Sequence, residues 1–134
     1  MRVLIVDDSV VMRMIIERGL RQSGMGEAEI VHATDGRDAL ARLESLEATG
    51  TSFDLILTDV NMPVMGGTEL LAEARRRGLA RGVPVLMITA DEADLRQTST
   101  TRASSGRLRR LVKPFTMEQM QACIAPLLHS AAHP

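Results

Sequence analysis

Side chains suited to phosphate and metal chemistry follow four short apolar runs of this 134-residue chain. Asp7 and Asp8 come directly after RVLIV, and Asp59 comes after DLILT. Thr89 and Lys113 follow PVLMI and RRLV in the same way. Crowded carboxylates repel one another, and a hard divalent cation such as Mg²⁺ relieves that repulsion. Because a lysine ammonium beside them suits a phosphoryl group or a carboxylate, the pattern predicts a magnesium and phosphate site.

Five short β-rich segments alternate with helix-length amphipathic ones, which predicts an α/β sandwich with a parallel sheet. The predicted strands are Arg2–Val6, Ala28–His32, Asp54–Thr58, Pro84–Ile88 and Arg109–Val112. Ligand sites of such sheets lie beyond the carboxyl ends of the strands. A single polar residue at a strand end is usually a solvated turn residue. That explanation does not suit three acids, a threonine and a lysine at four strand ends.

Helices are predicted to begin near Ser9, to span about Gly36–Ala48 and Thr68–Arg77, and to begin again near Thr116. Ser9 is a natural N-cap, and Pro126 is expected to bend or shorten the last helix. Each helix carries an apolar stripe that predicts its inner face. The stripes are Val11, Met14 and Ile15; Ala39, Leu40, Leu43 and Leu46; Leu70, Leu71 and Ala74; and Met120, Ile124 and Leu127.

A further helix is expected over about Glu92–Ser105, but its sequence is unusual. After Leu95 the residues RQTSTTRASSG supply only Ala103 as an apolar side chain. A helix packed on a sheet needs an apolar stripe, and interior Ser and Thr weaken it. The sequence therefore predicts a marginal helix or a loop.

Charge is divided unevenly along a chain whose net charge is −1. Leu95–Met117 holds five arginines and Lys113 with no acidic residue, so it carries +6, and the remainder, with ten basic against seventeen acidic residues, carries −7. One basic patch on an acidic body suits a compact anion or an acidic partner surface. With Phe53 and Phe115 as its only aromatic residues, the chain lacks the stacking platforms of single-stranded nucleic-acid binders. No DNA-reading helix is predicted either.

Length predicts one domain over residues 1–134. No apolar run approaches the ~20 residues of a membrane span, and Cys123 has no second cysteine to pair with. We therefore expect a cytoplasmic protein without membrane insertion. Cys123 is predicted to be a small core residue, and His32, His129 and His133 fit no metal-ligand spacing.

The motifs LIVDDS, DLILTDVNMPVMGG, VLMITA and LVKPF resemble the receiver domain of bacterial two-component response regulators, in a single-domain form similar to CheY. The resemblance covers essentially the whole chain. Successive intervals of 51, 30 and 24 positions separate Asp8, Asp59, Thr89 and Lys113. The resemblance implies a flavodoxin-like (βα)5 fold, with a five-stranded parallel sheet in the order 2-1-3-4-5 and helices on both faces. It also implies a signalling protein that is not an enzyme and has no output domain.

The resemblance implies a role for each site residue. Asp59 would accept a phosphoryl group from the phosphohistidine of a histidine kinase, Thr89 would hydrogen-bond the phosphoryl oxygens and Lys113 would pair with them. The Mg²⁺ ligands would be Asp8, Asp59, the backbone carbonyl of Asn61 and, through water, Asp7. The Lys113–Pro114 bond is cis in the family.

The chain departs from the family pattern just before Lys113. Receivers usually place Tyr or Phe, a ring that moves inward on phosphorylation, at the position of Arg110. The apolar residues that usually precede it are replaced by TRASSGRLR. These differences put the usual coupling between phosphorylation and ring movement in doubt.

An arginine-rich segment at this place resembles the Cle proteins, CheY-like receivers that bind cyclic di-GMP and act at the flagellar motor or in surface attachment. Arginine forks onto phosphate and onto guanine, and it stacks on bases. The candidate ligand residues are Arg96, Arg102, Arg107, Arg109 and Arg110. The resemblance implies a cyclic di-GMP effector that docks on a protein such as the flagellar motor switch. The alternative is a conventional phosphorylation-switched receiver whose basic face docks an acidic partner without nucleotide.

Overall fold

The computed structural model describes residues 1–90 and 108–132, with side chains described as far as Leu128. The elements in chain order are β1 (Arg2–Val6), α1 (Val10–Gln22), β2 (Glu29–Ala33), α2 (Gly36–Glu47), β3 (Leu55–Asp59), α3 (Gly67–Arg76), β4 (Val85–Thr89), β5 (Leu108–Val112) and the C-terminal helix α4 (Met117–Ala132). Each predicted strand boundary lies within one residue of the observed one. The helix expected over Glu92–Ser105 lies outside the described residues, as do Arg96, Arg102 and Arg107.

The five strands form one parallel sheet in the order β2-β1-β3-β4-β5, which confirms the expected receiver topology. Every residue of β3 and β4 is buried. The apolar runs Leu55–Leu57 and Val85–Ile88 are explained by this position, because a central parallel strand is covered on both faces.

Two hydrophobic cores lie on opposite faces of the sheet, because successive side chains of a strand point to opposite faces. On one face Val3 and Ile5 pack with α1 and the C-terminal helix. On the other face Leu4 and Val6 pack with α2 and α3. Helices therefore cover both faces, as expected for this fold.

The predicted inner face of α1 is wrong. Val11 and Met14 are 66% and 63% exposed, and Ile15 is also exposed. The helix instead buries Arg13, Ile16, Gly19 and Leu20. Apolar residues occur at helical spacing on both sides of α1, so periodicity alone did not identify the buried side. Close packing decides it, since the Met117 and Met120 side chains of the C-terminal helix occupy the space beside Gly19.

Several local predictions are confirmed. The Ser9 hydroxyl caps α1 by accepting a hydrogen bond from the Met12 N–H at 3.2 Å, and the Lys113–Pro114 bond is cis. Met120, Ile124 and Leu127 are buried in the core.

The expected shortening of the C-terminal helix at Pro126 does not occur, because the helix continues to Ala132. Pro126 is exposed on the outer side of this helix. Within the described ranges, no helix is long and apolar enough to cross a membrane.

Candidate metal and phosphoryl site

Three carboxylates meet at the carboxyl ends of β1 and β3. One carboxylate oxygen from each of Asp7, Asp8 and Asp59 lies within 4.8 Å of the others. Asp7 and Asp59 are 1% and 8% exposed, while Asp8 faces solvent. Hard oxygen donors at this spacing fit a small divalent cation that keeps part of its water shell. No other group of acidic, histidine or cysteine side chains in the described part of the chain meets the same criterion.

Lys113 reaches the cluster from the end of β5. Its Nζ lies 3.5 Å from Asp7 Oδ2 and 3.4 Å from Asp59 Oδ2. The Lys113 backbone is fixed beside β4, because its N–H donates to the carbonyl oxygen of Thr89 at 2.7 Å. Three carboxylates and one ammonium leave a formal charge of −2, which a divalent cation would balance.

The pKa of Asp59 is raised above its ordinary value. Burial is the largest cause, because it disfavours the ionised carboxylate; Lys113 opposes the effect and the negative charge of Asp7 adds to it. Asp59 therefore carries its charge at a cost that a bound cation would reduce.

Asp7 is anchored on both its side chain and its backbone. Its Oδ1 accepts a hydrogen bond from the Ser9 N–H at 2.8 Å. Its own N–H donates to the Ala33 carbonyl oxygen at 3.1 Å, and its carbonyl oxygen accepts from Arg13 Nη1 at 2.5 Å. The Asp7 carboxylate thus has a fixed position without any ligand.

The loop from β3 to α3 folds back over the end of β3. The Gly67 N–H donates to the Val60 carbonyl oxygen at 2.9 Å, and the Gly66 N–H donates to Glu69 Oε1 at 3.2 Å. Asn61 lies in this loop and is exposed, whereas Thr89 is wholly buried at the end of β4. The fold therefore brings Asp7, Asp8, Asp59, Thr89 and Lys113 to one sheet edge, with Asn61 two positions beyond Asp59.

The candidate nucleotide-binding arginines are described only in part. Arg109 is exposed and Arg110 is half-buried on β5, beside Leu86 and Met87 of β4. The Nε and Nη2 atoms of Arg110 are buried and have no hydrogen-bond partner within the part of the chain that the structure describes. Whether Arg96, Arg102 and Arg107 approach them lies outside the described residues.

The sequence interpretation missed a chain of polar side chains beside Asp7. Arg13 Nε donates to His32 Nδ1 at 3.1 Å, and His32 Nε2 lies 2.6 Å from Glu17 Oε1. Arg13 precedes Ile16 and Leu20 on the buried side of α1 at helical spacing, and this was the sequence signal for a buried cation. His32, which was considered only as a metal ligand, instead links α1 to β2.

Cys123 packs against the core, as predicted, but its side chain is only half-buried. Its Sγ lies 3.7 Å from the carbonyl oxygen of Arg110.

Comparison with known proteins agrees with this arrangement. The family model described as "Response regulator receiver domain" matches residues 3–125. Chemotaxis protein CheY of Pseudomonas aeruginosa is 38% identical over 121 residues, which cover 90% of each chain. Chemotaxis protein CheY-3 of Vibrio cholerae is 39% identical over 116 residues, which cover 87% of this chain and 82% of that protein.

Solved structures show the same fold. The chemotaxis protein CheY4 of Vibrio cholerae superposes with a TM-score of 0.74 at 34% identity, covering 95% of this chain and 98% of that one. A CheY-like response regulator receiver domain from Methanospirillum hungatei gives a TM-score of 0.75 at 26% identity, covering 97% and 94%. With its strand order, its acidic cluster and a family match that spans nearly all of its length, this chain belongs to the family of response regulator receiver domains.

Proposed function

We propose that this receiver domain is phosphorylated on Asp59 by a histidine kinase. Receiver domains take phosphoryl groups from histidine kinases and bind Mg²⁺ at an acidic pocket. The observation that carries the assignment is the placement of Lys113 Nζ at 3.4 Å from Asp59 and 3.5 Å from Asp7, beside three converging carboxylates. An ammonium in this position can pair with phosphoryl oxygens as they arrive at Asp59.

The transfer depends on positioning of the reacting groups and on charge neutralisation more than on covalent catalysis by other protein residues. An Asp59 carboxylate oxygen attacks phosphorus and forms a P–O bond while the P–N bond of phosphohistidine breaks. The electron pair of the broken bond stays on the imidazole nitrogen, which takes up a proton. Thr89 and Lys113 hold the phosphoryl oxygens. When bound, Mg²⁺ would be held by Asp8, Asp59, the backbone carbonyl of Asn61 and, through water, Asp7, and it would neutralise negative charge at the site.

Exposed apolar side chains flank this site and support a protein as phosphodonor. Val10, Val11 and Met14 lie on the first turns of α1, just after Asp8, and each is more than half exposed. Val64 is 70% exposed in the loop after β3. Apolar residues gathered around a reactive carboxylate suit contact with a partner protein.

Phosphoryl labelling tests the assignment of Asp59. Purified protein is incubated with Mg²⁺ and acetyl phosphate, and incorporation is followed by intact mass. We expect the wild type to be labelled and Asp59→Asn to be unlabelled. Asp54→Asn is the matched control, because Asp54 lies at the opposite end of β3 and caps the Arg2 N–H at 2.7 Å; it should label as the wild type does. Labelling of the Asp59→Asn protein would show that another residue is the acceptor.

We further propose that the basic surface around β5 binds cyclic di-GMP. The supporting observation is Arg110, whose buried Nε and Nη2 have no acceptor among residues 1–90 and 108–128. A buried charged group without a partner is costly, and an anionic ligand would supply the missing acceptors. Cyclic di-GMP offers two phosphates and two guanines, the groups onto which arginine forks. The proposed ligand residues are Arg96, Arg102, Arg107, Arg109 and Arg110.

The output of this complex is proposed to be docking on a signalling protein such as the flagellar motor switch. The chemotaxis names of similar proteins support this direction. The alternative is a conventional phosphorylation-switched receiver, in which the same basic face docks an acidic partner without nucleotide.

Calorimetry separates these two functions. The protein is titrated separately with cyclic di-GMP, GTP and cyclic di-AMP, with and without beryllofluoride as a phosphoryl mimic. We expect binding of cyclic di-GMP alone, and a loss of ~1–3 kcal/mol when Arg109 or Arg110 is replaced by Met. Arg18→Met, on the exposed side of α1, is the control and should bind normally.

Arg110→Lys discriminates further, because an ammonium cannot form a bidentate contact. Full affinity of Arg110→Lys for cyclic di-GMP would favour a surface that acts through charge alone. No binding of cyclic di-GMP to the wild type would leave the conventional receiver.

A further inference from the structure

A buried arginine holds the backbone of the metal site. Arg13 is 8% exposed, and its Nη1 donates to the Asp7 carbonyl oxygen at 2.5 Å. The Asp7 N–H is already bound to Ala33, and the Asp7 carboxylate is bound to Ser9 and lies next to Lys113. The contact with Arg13 therefore completes the fixation of Asp7. Among these contacts, it alone is made by a buried side chain of α1.

The position of Arg13 depends in turn on His32. Arg13 Nε is a donor without acceptor capacity, so His32 Nδ1, at 3.1 Å, must accept through its lone pair. The proton of a neutral ring then lies on Nε2, which donates to Glu17 Oε1 at 2.6 Å. Geometry thus assigns a single neutral tautomer to His32. A proton added at Nδ1 would face the Arg13 N–H and remove this hydrogen bond.

We propose that Arg13 is a positioning residue for the acidic metal site, and that His32 supports it only while Nδ1 carries no proton. The inference rests on the proposed function, because it concerns Mg²⁺ binding by the same carboxylates. Partners that orient the ligands of a metal site are commonly worth 10–100-fold in metal affinity. Loss of the Arg13 contact would free the Asp7 backbone and weaken Mg²⁺ binding without removing a ligand.

Two charged side chains contact the His32 ring, Arg13 at Nδ1 and Glu17 at Nε2. Arg21 pairs with Glu17 at 3.1 Å. All three lie on α1, and β1 contributes the apolar Ile5 in register with His32. Glu17 stays ionised in mild acid, because its hydrogen bond with His32 and its pairing with Arg21 lower its pKa.

The test measures the Mg²⁺ dissociation constant of each folded variant by amide chemical shifts, with a thermal melt alongside. We expect Arg13→Met and His32→Leu to bind Mg²⁺ ~10-fold more weakly than the wild type. His32→Gln should bind nearly as the wild type does, because its amide can accept from Arg13 and donate to Glu17. Arg18→Met is the matched control on the exposed side of α1 and should leave affinity unchanged. If Arg13→Met does not fold, the two His32 variants still decide the question.

A pH series adds a readout that loss of stability alone would not move. Between about pH 8 and about pH 5.5, the range in which histidines commonly change charge, wild-type affinity should fall more steeply than that of His32→Gln. Both proteins share the titration of the carboxylates, so the difference isolates the imidazole. Identical pH profiles would overturn the role of His32.

Two further outcomes separate this inference from the proposed function. Wild-type affinity in both Arg13→Met and His32→Leu would overturn the inference while leaving the metal site intact. A wild-type protein that binds no Mg²⁺ would overturn the proposed function, and this inference with it.

Discussion

At the residue scale, Asp59 combines burial with a negative charge that the proposed phosphoryl transfer requires. Burial and the nearby Asp7 carboxylate raise its pKa, and Lys113 compensates only in part. A group whose pKa is raised on folding stabilises the folded state below its unfolded pKa, and that contribution is lost as pH rises through the folded pKa. At neutral pH, without a cation, the Asp59 carboxylate therefore reduces the stability of the domain.

Asp59→Asn should raise the free energy of unfolding at neutral pH by on the order of 1 kcal/mol, a common size for single-residue effects. The amide keeps an acceptor oxygen for Lys113 and removes the buried charge. The gain should shrink as pH falls through the folded pKa of Asp59, because the wild-type carboxyl then becomes neutral as well. Urea denaturation in chelator across this range measures both effects. A variant less stable than the wild type at neutral pH would contradict the argument.

At the element scale, the β3–α3 connection sets where Asp59 ends its strand. Gly67 begins α3 directly against the end of β3, and a Cβ atom there would overlap the carbonyl oxygen of Asp59 and approach Met87 Cε at 3.2 Å. The Asp59 backbone cannot yield easily, because Val60 donates to Ile88 of β4 at 3.0 Å. A side chain at position 67 would therefore displace Asp59, the proposed phosphoacceptor.

Gly67→Ala should destabilise the domain by ~1–3 kcal/mol, the usual cost of overpacking a dense interior, and should slow labelling by acetyl phosphate. Gly26→Ala is the matched control, since the nearest atom to its Cβ is Arg21 O at 3.9 Å. Thermal melts and labelling rates of both variants measure the two effects. Equal stability of Gly67→Ala and the wild type would mean that α3 shifts without strain.

At the scale of the whole molecule, the two proposed activities occupy surfaces of opposite charge. The acidic cluster lies where β1 and β3 end, and Arg109 and Arg110 lie on the edge strand β5. Lys113, directly after β5, belongs by its contacts to the acidic cluster. The proposed phosphorylation site and the proposed ligand-binding surface are thus adjacent in sequence, and β5 connects them. The basic surface attracts an anion directly, whereas the acidic cluster needs Lys113 and a bound cation to accept a phosphoryl group.

The strands, the α/β class and the members of the acidic site could be predicted from the amino-acid sequence. Strands are local patterns, and each of the five was predicted to within one residue. Asp7, Asp59, Thr89 and Lys113 could be assigned to one site because parallel strands place their carboxyl ends at the same edge. The strand order came from the resemblance of four motifs to a known family, not from periodicity.

The buried side of α1 could be identified only from helix packing, because α1 is apolar on more than one side. The tertiary structure also revealed the contacts from Arg13 to His32 and Asp7, and two buried nitrogens of Arg110 that have no acceptor among the described residues. Such contacts join residues whose separation in sequence carries no periodic signal. They depend on the packing of helices against the sheet, which fixes where a buried cation finds an acceptor and where it does not.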